Sequence, residues 1–573
     1  MRKLLALMLG MLLMFSLVAC GGNGDGDNSS SVPNAPESSE PAASGESTTT
    51  TSGSAASGES TATQGPTTSG RNDRNPSKSS TTTSKYVLPT SGNWEKPVTI
   101  NTAVLYNKQT SSNDKAAEDK RQSILKTEDT LKPSGSGKAY YISYRGSDQN
   151  DGLSPNTPWK SPAKAANSLL FKAGDVVLFE RGGVYRDVGI VAKTGVSYGA
   201  YGKGAKPQLY GSDKNYADEK LWEKTTTANV WRAKVTQVKA ATAKDVEDVG
   251  NIIIDYGKIC ASDGKKMSLG KLAADYDFYY DAKTDYVYLY LVKGNPGKLH
   301  ESIEIAPNEH IIQVSSAKNV TIENLCIKYT GAHGISCGAT SGTTVRGCEI
   351  GYIGGGMLSI QRSARYGNGV EFFGAASNCT VENNWIYQCF DAGYTNQGPS
   401  DNEAGTITGW HTNIAVKNNL IEYCLYNIEV WTIKDGKRGG MKNCTFSDNI
   451  LRFAGYGFGS NNRFSSNTSA VGNISFYNYV VPCQNTVIKN NVFDCSSRYV
   501  ISIAYPNDTE GRGPTITGNT WIQKPFKNDD TTAVVGQSYL TGNLKVYKCA
   551  TLDEMKTSVA IFDKAHASVI LDK

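Results

Sequence analysis

Three carboxyl residues in the second half of the chain, Glu371, Asp391 and Glu429, lie in stretches where apolar and polar residues alternate. Two such groups are what cleavage of a glycosidic bond needs, one protonated as acid and one ionised as nucleophile or base. Asp391 and Glu429 are expected one turn of chain and three residues apart, which puts their backbones about 11 Å from each other at about 4.8 Å per strand and about 3.3 Å per residue. Side chains leaning together would bring the carboxyls into the range of about 6.5 to 9.5 Å that inverting hydrolysis uses. Glu371, in Gly367-Asn-Gly-Val-Glu-Phe-Phe373, is the third candidate.

Parity selects the rest of the face. If Ile428 and Val430 point inward, matching Phe458 and Ser460, then Asn427, Glu429 and Trp431 point outward. Ala392, Tyr394 and Asn396 match them one turn earlier, and Gly457, Gly459 and Asn461 one turn later. Tyr394, Asn396, Asn427 and Trp431, with Arg362 and Arg365 from a loop beside them, would then bind a sugar, aromatic planes against pyranose faces and polar groups on hydroxyls. His333, in Gly331-Ala-His-Gly334, aligns with Asp391 if one residue is deleted in its bend, and joins the binding residues. The longest loops, 359–367, 398–409, 432–440 and 461–473, leave on this side and would wall a cleft.

The same loops offer a second chemistry. Arg362, Arg365, Lys434 and Arg438 could abstract the proton alpha to a uronate carboxylate, with calcium on Asp401 and Glu403. No tight acidic cluster stands on the strands, so hydrolysis without a cofactor or metal is the favoured reading and calcium belongs to the lyase alternative. A non-catalytic glycan-binding surface protein is the third.

What positions these residues is a repeat. An apolar residue is followed three places later by Asn and five places later by another apolar residue, in Val381-Glu-Asn-Asn384-Trp-Ile386, Val416-Lys-Asn-Asn419-Leu-Ile421, Phe446-Ser-Asp-Asn449-Ile-Leu451, Ile488-Lys-Asn-Asn491-Val-Phe493 and Ile516-Thr-Gly-Asn519-Thr-Trp521. Weaker copies start at Ile322 and Val345. The irregular spacing excludes a fixed-period helical or leucine-rich repeat. Short strands stacked in coils would place the five asparagines in a ladder at a bend, where Asn tolerates left-handed geometry. Cys389 would stack on Cys424, with Cys379 and Cys444 at matching positions, as small buried side chains.

These copies resemble the right-handed parallel β-helix proteins of the pectate-lyase-like superfamily. The resemblance extends to Tyr140-Tyr-Ile-Ser-Tyr-Arg-Gly-Ser-Asp148, Asp151-Gly-Leu-Ser-Pro-Asn-Thr-Pro-Trp-Lys-Ser161 and Gly174-Asp-Val-Val-Leu-Phe-Glu-Arg-Gly-Gly-Val-Tyr185. It implies an all-β solenoid over 140–522 and a polysaccharide or oligosaccharide partner, and it specifies fold better than reaction. Residues 213–307 depart from the pattern, and Asp277-Phe-Tyr-Tyr-Asp281 with Tyr286-Val-Tyr-Leu-Tyr-Leu291 reads as an inserted antiparallel hairpin. Residues 86–139 form an N-terminal extension, and 523–573 a C-terminal cap with a short helix near 552–559.

Arg2 and Lys3, an apolar run to Val18 and Leu17-Val-Ala-Cys20 read as a secretory signal over 1–20. It resembles a bacterial lipoprotein signal, which implies a lipid on Cys20 and a place on the extracellular face of the cell membrane. Residues 21–85, Ser, Thr, Gly and Pro with almost no large apolar residue, read as a disordered tether. A net charge of +5 without a compact Lys/Arg block gives no footprint for nucleic acid. The 12 cysteines, eleven once Cys20 is lipidated, lack the spacing of a disulfide framework or zinc site. The expected form is a monomer.

Overall fold

The computed structural model describes residues 88–166, 169–236, 246–359, 364–398, 409–431, 439–460, 471–477, 481–508, 510–525, 527–528, 531–532, 534–538 and 545–572. Cys20, the tether, Arg362, Asp401, Glu403, Lys434, Arg438 and Asn461 lie outside them.

The chain visits three long parallel sheets in the same order, turn after turn, which makes a parallel β-helix. Each sheet contributes one inward column of apolar side chains. In the first sheet Val381, Val416, Phe446, Ile488 and Ile516 are in register. In the second it is Ile386, Ile421, Leu451, Phe493 and Trp521. Burying each such side chain contributes about 1.5 to 3 kcal/mol, so the two apolar residues of every repeat copy anchor adjoining sheets. The third sheet, which carries the site, consists chiefly of β1 (Ile335–Gly338), β2 (Val370–Phe373), β3 (Ala392–Gln397), β4 (Tyr426–Trp431), β5 (Gly472–Tyr477) and β6 (Tyr499–Ser502).

The Asn-Asn doublets divide the labour at the bend between the first two sheets. The first member takes the left-handed conformation: φ is 54° at Asn383, 60° at Asn418, 58° at Asp448 and 55° at Asn490. The ladder asparagine that follows is therefore not the left-handed residue, contrary to the sequence expectation. Its buried amide does the stitching instead. Asn384 donates its N–H and Nδ2 to Asn419 Oδ1 at 2.9 and 3.0 Å, and the pattern repeats through Asn449, Asn491 and Asn519. The last rung ends on Asp563 Oδ2, which accepts from Asn519 N and Nδ2 at 2.8 and 3.0 Å. All eleven described cysteines are free and buried, and burial pushes the Cys389 thiol well up beside Cys424.

Residues 213–307 are larger than a hairpin. Phe278–Asp281 and Tyr286–Tyr290 pair as expected, but they extend through Val230–Lys234 and Trp222–Lys224 into a four-stranded antiparallel sheet. A three-stranded sheet from Val249–Ile254, Ile259–Cys260 and Ile303–Pro307 shares a separate core with it, including Tyr216, Ile252, Phe278, Val287 and Leu289.

The helix Asp114–Leu125 and its flanks form a strap across the outside of the second sheet. Arg121 pairs with Glu422 at 2.7 Å above the Trp385 ring, Ser111 donates to Asp494 at 2.9 Å, and Thr130 N–H donates to Glu323 at 2.6 Å. At the other end the helix Leu552–Phe562, N-capped by Thr551, buries Met555, Val559 and Phe562, and Ser568–Leu571 adds the last strand to the second sheet. No helix among the described residues is long and apolar enough to cross a membrane.

Candidate active site

Register in the third sheet builds one outward row: Ser336 on β1, Glu371 on β2, Thr395 on β3, Glu429 on β4, Ser475 on β5 and Ser502 on β6. This corrects the sequence alignment by one residue. Glu429 is level with Thr395, and Tyr394 is level with Ile428. Ile428 is level with Ile474, not Phe458, because residues 456–460 leave the coil, with the Phe458 ring 6.1 Å from Phe390. A one-residue slip exchanges the two faces of a strand, and two expected sugar contacts, Tyr394 and Asn396, turn inward accordingly.

Tyr394 lies inside the helix, edge-on to Phe372 and Phe446, and its hydroxyl donates to Asn396 Oδ1 at 2.7 Å. Asn396 is fully buried and bonds His411 Nδ1 at 3.1 Å. Burial lowers His411 to about 4. Asn427 is turned to a bend, donating to the Arg452 carbonyl at 2.9 Å and to Asn473 Oδ1 at 2.7 Å. These three are structural. Trp431 stays at the edge of the face, level with Gln397 and Phe373.

The spacing of the carboxyls changes with the register. Asp391 sits at the bend ahead of β3, its N–H bonded to Gly367 O at 3.0 Å and its own carbonyl accepting from Leu425 N at 2.9 Å. It is now four residues along and one strand away from Glu429, about 14 Å by backbone. Glu371 and Glu429 are two strands apart in one row, a backbone separation of about 10 Å. The pair that the fold brings together is therefore Glu371 with Glu429, and Asp391 is the outlier.

Both carboxyls are buried, at 7% and 3% exposure, but their surroundings differ. Glu371 accepts from Ser336 Oγ at 3.1 Å and Asn368 Nδ2 at 3.4 Å, and His333 Nε2 is 3.2 Å from its Oε1. Asn368 N–H donates to His333 Nδ1 at 2.9 Å, which leaves Nε2 as the donor of that ring toward Glu371. Burial alone would raise Glu371, yet His333 and the Ser336 hydroxyl outweigh it, and the carboxyl falls below its ordinary value. Among the described residues, Glu429 receives Thr395 Oγ1 at 2.9 Å and Gln397 Nε2 at 2.8 Å, both on Oε2. Burial and the Glu371 charge prevail, and Glu429 is raised. Two carboxyls pushed in opposite directions make an acid and a base available at one pH.

His333 is level with Asn368 and, two coils away, with Ala392, so it misses the expected alignment with Asp391 by one residue. Its ring is stacked on His310 at 5.1 Å, and Tyr366 stands edge-on to both, at 5.4 and 4.8 Å. His310 is lowered to about 3 by burial and by His333, so it is neutral. Arg365, in the short antiparallel pair Met357–Ser359 and Ala364–Arg365, is buried with its guanidinium 5.5 Å over Phe390. Sequence reasoning missed Ser336, Asn368, Thr395, Gln397, His310 and Tyr366. Thr395 and Gln397 were hidden by the slip; His310 and Tyr366 are 23 and 33 residues from His333 and carry no local signal. Among the described residues no group of three or more His, Cys, Asp or Glu could hold a metal ion.

No family model matches the chain, and no curated protein sequence matches it. Solved structures are similar to it at low identity. A glycoside hydrolase is 10% identical with a TM-score of 0.38, over 76% of this chain and 96% of the other. The GH136 lacto-N-biosidase from Eubacterium ramulus is 14% identical with a TM-score of 0.36, over 80% and 70%. The pectate lyase Pel9A is 11% identical with a TM-score of 0.31, over 74% and 76%.

Proposed function

We propose that the protein is a carbohydrate-active enzyme, a glycoside hydrolase that uses Glu429 as general acid and Glu371 as general base. The observation that carries this reading is the opposed pair in one row: Glu371 is held by His333, Ser336 and Asn368 and favours its ionised form, whereas Glu429 favours its neutral form. Both donors to Glu429 converge on Oε2, so the acid proton sits on Oε1 and is delivered from there to the glycosidic oxygen. Glu371 takes a proton from a water on the opposite side of the sugar. Backbones about 10 Å apart in one row allow the carboxyls to stand in the about 6.5 to 9.5 Å range that inversion uses, which is the course this reading assigns. Trp431 at the edge of the face supplies an apolar plane for a pyranose.

The decisive measurement is release of reducing ends from a panel of neutral and uronate polysaccharides. Hydrolysis creates reducing ends alone. An ultraviolet-absorbing unsaturated uronate product would replace this reading by β-elimination, through basic residues such as Arg362 and Arg365 and with calcium as a possible requirement; binding without turnover would replace it by a glycan-binding surface protein. The reading includes a monomer anchored outside the cell through a diacylglycerol on Cys20 after the tether 21–85. Metabolic labelling with a radioactive fatty acid, lost in Cys20→Ser, tests the anchor.

A further inference from the structure

The inserted four-stranded sheet has an outer face that the proposed reaction does not use. Its inner positions, Phe278, Tyr280, Val287, Leu289 and Ala233, are buried. The alternate positions are Tyr279 and Asp281, then Tyr286, Tyr288 and Tyr290, then Val230, Arg232 and Lys234, then Glu223. An antiparallel sheet packed on one side normally turns small polar and charged residues to water on the other. Here four of nine such positions are half-buried tyrosines.

The rings form a continuous surface. Tyr279 lies across the strand boundary from Tyr288, centroids 6.2 Å apart and planes within 27°, and Tyr288 is 6.3 Å from Tyr286. The Arg232 guanidinium stands 4.4 Å and the Lys234 ammonium 5.3 Å from the centre of the Tyr286 ring. Cross-strand tyrosine pairs stabilise a sheet, which accounts for Tyr279 opposite Tyr288 but not for a tyrosine at every outward position of Tyr286–Tyr290.

Two features indicate what would lie on this face. Its one aliphatic side chain, Val230 level with Tyr290, is fully buried, whereas the centre of a protein interface is dry and apolar. Its charges cancel locally, Arg232 against Glu223 at 2.7 Å and Lys234 against Asp285 at 3.5 Å, so it presents no field for a polyanion. Flat rings tipped with hydroxyls and edged by charged hydrogen-bonding groups match the CH faces and hydroxyls of pyranoses.

We infer that the outer face of the inserted sheet, centred on Tyr279, Tyr286 and Tyr288 with Arg232 at its edge, is a glycan-docking surface for a neutral polysaccharide chain. This surface is separate from the row of Glu371 and Glu429 and does not need that pair to be catalytic.

The test is native affinity electrophoresis of the full chain carrying Glu371→Gln and Glu429→Gln, in gels cast with xylan, mixed-linkage β-glucan, galactomannan or alginate. At least one neutral polymer should retard it. Tyr286→Thr with Tyr288→Thr keeps good strand formers and should weaken the retardation about tenfold, while Tyr286→Phe with Tyr288→Phe keeps the rings and should retain most of it. If the Thr pair fails to fold by circular dichroism, Tyr279→Thr and Arg232→Gln provide the comparison. Retardation by none of the neutral polymers, by alginate alone, or unchanged by ring removal overturns the inference. So does gel filtration in which the wild type is a dimer and the ring variant a monomer, since the face would then bind a second copy. The proposed reaction can fail in turnover assays without affecting this result, and the converse holds.

Discussion

Glu371 and Glu429 share one outward row of the third sheet, two strands apart, with Thr395 between them donating its hydroxyl to Glu429. Parallel pairing fixes this separation as firmly as the coil itself, so the two carboxyls cannot be moved apart without breaking the stack.

Replacing either by glutamine should remove activity by about 100-fold to 10,000-fold, the usual contribution of a positioned acid or base. The wild-type profile should be bell-shaped. Its acid limb follows protonation of Glu371, whose value is lowered, and its alkaline limb follows ionisation of Glu429, whose value is raised. Initial rates across pH check both limbs, and a profile without an alkaline limb would remove Glu429 as the acid.

Glu429→Gln should also stabilise the fold. A carboxyl raised in the folded state binds its proton more tightly there than in the unfolded chain, so folding loses stability as pH rises from the unfolded value through the folded one. The amide has no such loss. The gain in melting temperature of the variant over the wild type should be larger at pH 8 than at pH 4.

His333→Phe, which keeps the stacking on His310 and removes the Nε2 donor, should raise Glu371 and move the acid limb to higher pH. A purely structural His333 would lower the rate without moving the limb. The pH profile of kcat/KM separates the two.

The stereochemical course should be inversion. Proton NMR of the first product, recorded before mutarotation, should show the anomer opposite to that of the substrate bond, and retention would contradict the assigned separation.

Asn449→Ala removes a middle rung, leaving the Asn419 amide and the Val416 carbonyl without their partners. Each buried group left unpaired costs about 1 to 3 kcal/mol. Denaturant unfolding should show a loss of at least about 2 kcal/mol, where an exposed turn asparagine such as Asn156 should show little.

Much of the fold is legible because the repeat writes it twice, once in the apolar pair that anchors two sheets and once in the ladder asparagine. Val381 with Ile386 and Val416 with Ile421 fall in register as their spacing requires. The third sheet has no such marker. Its strands were aligned through Phe458, in a segment resembling Phe390 to Asn396 in its glycine and aromatic pattern but excluded from the coil, and the error of one residue exchanged Tyr394 for Thr395. The carboxylates Glu371 and Glu429 survived because each belongs to the outward parity of its own strand, which local alternation reports correctly. Their partnership depends on which strand lies beside which, and His310, Tyr366 and Asn368 depend on it further. Sequence spacing says nothing about distances across coils of unequal length.

The strap has a bearing on how the molecule reaches its final form. Ser111 and Ser112 bond to Asp494 and Asp572, which are 383 and 460 residues further along the chain. A ribosome delivers the strap before any of its docking sites. Its C-terminal part can seat early, since Asp129 pairs with Arg181 and the Thr130 N–H bonds Glu323, but Ser111 and Ser112 have nothing to close upon until the final turns exist. The strap is thus seated from its C-terminal end backwards, and the docking of its first residues marks the completion of a chain that has folded all its coils.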